Sequence, residues 1–124
     1  MEDFVSFKIA KKLKKNGFTL SKDKTIGKFD SDGVFHSQLY CNYYETMDLD
    51  EIIAPTISQV LKWLREEKEI ICLPHIDPAE EKWFFYVVKL PQASDFPEYM
   101  STSIYNTYED ATLAGIEFAL DNLL

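Results

Sequence analysis

Two histidines, His36 and His75, and two cysteines, Cys41 and Cys72, are the side chains of this 124-residue chain best suited to bind a metal or act as a nucleophile. Their spacing does not favour either role. A structural zinc site draws close-spaced ligand pairs from turns. Cys72 and His75 are three residues apart in a stretch that reads as a strand, so they face opposite sides of it. His36 and Cys41, five apart, meet the same obstacle. A bulge at Pro74 is the one device that could bring a pair together. A Cys–His nucleophile needs an electropositive setting that lowers the thiol pKa, and no basic cluster or helix start sits beside either cysteine.

Carboxylates and glycines say as little. Asp30-Ser31-Asp32-Gly33 resembles the start of a calcium loop, but the glycine arrives two places early and position twelve is Cys41 instead of glutamate. A turn is the better reading. The glycines (17, 27, 33 and 115) are isolated, so no loop is built to cradle phosphates. Strand aromatics could stack on bases, but that half of the chain lacks the basic partners such a groove uses. The expectation is a protein without catalytic residues, metal or cofactor.

The elements that would position these residues are clearer. Residues 3–16 read as a helix with Asp3 as N-cap and Val5, Ile9 and Leu13 at four-residue spacing. Gly17 supplies the left-handed position after it, and Phe18 folds back onto Leu13. Residues 25–29 and 34–44 read as strands around the Asp30–Gly33 turn, with Tyr40, Tyr43 and Tyr44 favouring extended backbone. Residues 45–51 read as an acidic loop. A second helix covers residues 54–67. Thr56 and Gln59 have capping-box spacing, and Ile57, Val60, Leu61 and Leu64 form one buried face. Lys62 with Glu66 and Arg65 with Glu69 pair outside. Trp63 lies off the apolar stripe.

A hairpin follows, with strands at 70–76 and 83–90 joined by 77–82. Pro74 marks the first strand as an edge or a bulge. In the second strand Trp83, Phe85 and Val87 point one way, and Phe84, Tyr86, Val88 and Leu90 the other, so both faces are apolar. Residues 91–98 read as a loop and 99–105 as a further strand. The last helix spans 107–124, capped by Thr107 and Asp110. Ala111, Gly115 and Ala119 form a small-residue row for close packing, while Leu120 and Leu123 widen the apolar stripe. The expected fold is α+β, a single domain over residues 1–124. An antiparallel sheet of three to five strands is packed by three helices in the order α-β(β)-α-β-β-(β)-α.

Charge bounds the partners. Of a net charge of −8, residues 1–28 carry eight lysines against three acids, and the remainder five bases against eighteen acids. An acidic body repels phosphate, which disfavours general nucleic-acid binding. A basic patch of Lys11, Lys12 and Lys15 keeps a local version open, although cations also suit a helix C-terminus. No apolar run approaches the ~20 residues of a membrane span, nor is there a leader pattern, so the expected site of action is the cytoplasm. There both cysteines should be thiols.

The run Ala54-Pro55-Thr56-Ile57-Ser58-Gln59-Val60-Leu61-Lys62-Trp63-Leu64-Arg65-Glu66 resembles a recurring segment of small uncharacterised proteins from anaerobic gut bacteria and their phages or mobile elements. Lys15-Asn16-Gly17-Phe18 and Tyr108-Glu109-Asp110-Ala111 are also similar to theirs. The resemblance implies an origin and no activity. The surplus of apolar surface instead points to protein–protein contact, as a homodimer or with another protein, through Trp63, Trp83, Phe85, Leu120 and Leu123. The alternative is a phage-related or mobile-element accessory protein, either linked to nucleic acid or an acidic mimic of DNA.

Overall fold

Ser6 starts the first helix, and a backbone contact far along the chain explains why. In the computed structural model, which describes residues 4–20, 27–37, 51–90, 99–100 and 103–124, the Val5 N–H donates to the Pro55 carbonyl at 3.1 Å and Phe4 bridges Thr56. That pairing holds Phe4 and Val5 outside the helix. The Ser6 hydroxyl then accepts from the Ile9 N–H, so Ser6 replaces the expected Asp3 as cap of α1 (Phe7–Lys15). The far end is as expected. Gly17 sits at φ +85°, Phe18 N–H reaches Leu13 O at 3.0 Å, and Gly17 N–H reaches Lys14 O at 3.2 Å. These are the two bonds of a Schellman end.

Contacts cluster in two compact units, Met1–Thr56 and Ile57–Leu124. In the first unit, β1 (Gly27–Phe29) is the central strand between β2 (Phe35–Ser37) and β3 (Ile52–Ile53), all antiparallel. Val5, Ile9, Ala10, Leu13, Phe18, Phe29 and Ala54 are buried. Phe4, Phe7, Phe29 and Phe35 form a chain of ring contacts, the closest being Phe4–Phe35 at 4.6 Å between centroids. The Asp30–Gly33 segment is a turn. The Asp30 side chain accepts from the backbone N–H of Asp32 and of Val34, and Gly33 has φ +84°. The outer part of the strand expected to reach residue 44, its three tyrosines, and the loop over 45–50 lie outside the described residues.

The second unit begins with α2 (Ile57–Glu67), which buries Ile57, Val60 and Leu64. β4 (Ile70–Asp77) and β5 (Lys82–Lys89) pair without interruption from Ile70↔Lys89 to Asp77↔Lys82. Pro74 therefore sits on an outer strand, not in a bulge. Glu81 at φ 55° closes the connecting loop, and its N–H donates to the Asp77 carbonyl at 2.8 Å. β6 (Tyr99–Met100) pairs with β5, giving the order β4-β5-β6. Six described strands thus make two three-stranded sheets, so the α+β class is as expected but the strands do not share one sheet. α3 (Tyr108–Asn122) is capped by Thr107, whose hydroxyl accepts from the Asp110 N–H at 3.1 Å. It packs on β4 and β5.

Candidate functional site

The register of the β4–β5 hairpin sorts its side chains into two faces. One face carries Cys72, Pro74, Phe85 and Val87. α3 lies on it, with Gly115 against the Phe85 ring and Phe118 at 6.1 Å between ring centroids. The opposite face carries Leu73, His75, Phe84 and Tyr86, since Leu73 pairs with Tyr86 and His75 with Phe84. Leu73 is 44% exposed, His75 is exposed, and the two aromatics are half-buried.

These side chains form a cluster on the sheet surface. The His75 ring stacks near Phe84 at 5.8 Å and meets Tyr86 edge-on at 4.4 Å, while Phe84 and Tyr86 are edge-to-face at 5.3 Å. None of the four carries a fixed charge. Asp77 and Lys82 lie on the same face, at the loop end. Asp77 is engaged there, accepting from the Ala79 N–H, and Lys82 donates to the Asn106 side chain.

The residues expected to meet a partner fare differently. Phe85 (6% exposed), Leu120 (6%) and Leu123 (9%) are buried, so their apolar surface is already used within the chain, a correction to their assignment as partner surface. The expectation rested on Phe85 sharing a doubly apolar strand, and α3 covers the face it occupies. Trp83 is half-buried, exchanges two backbone hydrogen bonds with Tyr105, and meets the Tyr108 ring edge-on. Trp63 is half-buried beside α2's polar face, with the Lys68 ammonium 5.5 Å from its ring centroid. Sequence reasoning placed Phe84 and Tyr86 on one apolar face of the strand but did not join His75 to them across the hairpin. The available signal was the alternation of Phe84 and Tyr86 opposite His75 in a hairpin of fixed length.

In the first unit, Lys11 and Lys15 are exposed and Lys12 half-exposed on α1, and Lys8 joins them one turn earlier. The Lys11 ammonium lies 4.7 Å from the Phe7 ring centroid. His36 Nε2 is 2.9 Å from Asp30 Oδ2. That hydrogen bond, followed by the one from the Val34 N–H, holds the Asp30 carboxyl below its ordinary range. The pair secures the turn and presents no nucleophile.

Cys72 is a buried free thiol, and desolvation pushes its pKa up to about 12, which suppresses the thiolate. Cys41 lies outside the described residues. Among the described residues no group of three or more His, Cys, Asp or Glu side chains could hold a metal ion, and no helix is long and apolar enough to cross a membrane. No protein-family model, curated protein or solved structure matches the chain.

Proposed function

We propose that this chain acts through protein–protein contact without catalysis, and that it pairs with a second copy of itself through the outer face of the β4–β5 hairpin. The observation that carries this reading is the grouping of Leu73 and His75, both exposed, with the half-buried Phe84 and Tyr86 on the face that α3 leaves uncovered. In a chain of net charge −8, two copies repel over most of their surface. An aromatic patch with no carboxylate among its four side chains is where they can approach at least cost. A two-fold pair would set the same patch against itself. Pro74 removes one donor from the outer edge of β4, which favours packing face to face over strand addition.

Strands ~4.8 Å apart with ~3.4 Å per residue make this patch on the order of 200 Å². A standard interface buries about 800 Å² on each side. The pairing is therefore weak and depends on concentration. A cytoplasmic setting fits the reduced Cys72 thiol.

Sedimentation velocity over a range of protein concentrations tests the reading. The wild type should sediment faster as concentration rises. Leu73→Asp should remove that dependence, and Ile104→Asp, at an exposed position elsewhere in the same unit, should retain it. A wild type that stays monomeric throughout ends the self-pairing proposal.

A further inference from the structure

The face of the second unit on which α3 packs ends in a corner of aromatic rings. Ile76, Trp83 and Tyr105 are direct cross-strand neighbours, so their side chains form one row on that face. Two reciprocal backbone hydrogen bonds, of 2.8 and 2.7 Å, fix Trp83 against Tyr105. Tyr108, the first residue of α3, stands against this row, its ring at 89° to that of Trp83 and 5.5 Å away between centroids. The buried Phe85 ring backs Tyr105 at 6.3 Å. The corner is open to solvent. Ile76 is 48% and Tyr108 43% exposed, and Trp83 and Tyr105 are half-buried.

The charge beside these rings is nearly of one sign. Residues 76–83 and 105–110 hold five carboxylates and a single basic residue, Lys82. Lys82 belongs to the opposite face of β5 and donates to the Asn106 side chain. Glu80, Glu81, Glu109 and Asp110 are exposed, and none of their carboxylates is ion-paired among the described residues.

We propose that this corner binds the guanidinium of an arginine in a basic segment of a partner protein. A guanidinium stacks on aromatic faces, is weakly hydrated, and is attracted by the ring quadrupole. Ile76 offers apolar surface to the arginine stem. The unpaired carboxylates draw a cation toward the rings. An ammonium is held less well because it is more strongly hydrated. Trp, Tyr and Arg are also the residues that dominate hot spots between proteins. A second copy of the chain is a poor occupant, since it would set its own five carboxylates against these. The corner lies on the opposite face of the hairpin from Leu73 and Tyr86, so the proposal is independent of the self-pairing above.

NMR titration of the full chain with a Gly-Arg-Gly-Arg-Gly peptide tests this, read at the indole N–H signals of its two tryptophans. The Trp83 signal should shift and saturate while the Trp63 signal stays in place. Replacing the arginines of the peptide with neutral citrulline should weaken binding more than about tenfold, and lysines should bind less well than arginines. Tyr108→Leu, at an exposed position, should keep the native circular dichroism and weaken arginine-peptide binding about two- to fivefold. Glu80→Gln/Glu109→Gln should weaken it and flatten its salt dependence. Leu73→Asp should not weaken it, even where self-pairing is lost. An unmoved Trp83 signal, an equal response to the citrulline peptide, or undiminished binding in Tyr108→Leu would overturn the proposal.

Discussion

Gly115 of α3 lies directly against the ring of Phe85, so closely that an added Cβ would stand 3.3 Å from two of the ring carbons. This approach brings the helix down onto β5 and buries Phe85. It also decides which face of the hairpin is left outside. Gly115→Ala gains about 1 kcal/mol of helix propensity and gives back a similar amount in crowding. Its stability should stay within about 1 kcal/mol of wild type. Gly115→Leu cannot be absorbed in the same way and should cost about 1–3 kcal/mol in urea denaturation. Phe85→Ala in the Gly115→Leu background should recover part of that cost, giving a measurable coupling energy. Simple additivity of the two substitutions would contradict this packing.

Two glycines at nearly the same backbone angle separate strain from contact. Gly17 (φ +85°) has nothing within 4 Å of an added Cβ, whereas at Gly33 (φ +84°) that atom would lie 2.8 Å from the Phe7 ring. Gly17→Ala should lose only the left-handed penalty, about 1–2 kcal/mol. Gly33→Ala adds displacement of Phe7, a ring that also packs on Phe29, and should lose about 1–3 kcal/mol more. Thermal denaturation of both variants checks the ranking. A smaller loss at Gly33 would show that the Phe7 ring yields freely.

The contrast between local and distant causes explains what could be read from the chain. The end of α1 was legible because Gly17 and Phe18 bond back within five residues. The start of α3 was legible because Thr107 caps three residues ahead. The start of α1 was not, because Val5 is held by Pro55, some fifty residues away. The division into two sheets rests on pairs such as Lys28↔Ile53, which no local pattern encodes. β5 is apolar on both faces, so its sequence could not say which side α3 takes. That choice moved Phe85 into the core and left Phe84 and Tyr86, half-buried, beside the exposed His75 on the opposite face.

The Asp30–His36 pair should show a pH signature at the site itself. The His36 hydrogen bond is the largest influence lowering the Asp30 pKa, ahead of the Val34 N–H. A carboxyl depressed in the folded state supports the fold above its unfolded pKa, and that support fades as pH falls through the folded value. Carbon-detected NMR titration of the Asp30 carboxyl should show its midpoint rising toward the ordinary range in His36→Ala. An unchanged midpoint would mean that the backbone N–H groups alone set it.

The buried Cys72 thiol gives the opposite dependence, on the alkaline side. Burial raises its folded pKa to about 12 from an ordinary value of 9.0. Near neutral pH the thiol is protonated in both folded and unfolded chains, so it has no effect on stability there. Above pH 9 the unfolded thiol ionises while the folded one does not, and stability falls by about 1.4 kcal/mol per pH unit until the folded pKa is reached. Cys72→Ala should therefore lose less stability than wild type between pH 9 and pH 11, measured by urea denaturation in a Cys41→Ser background. In that background the native thiol should also react far more slowly with a thiol reagent than the urea-unfolded chain does, because both thiolate fraction and access are reduced. Equal reaction rates in the folded and unfolded chains would place Cys72 at the surface and refute its burial beneath the sheet.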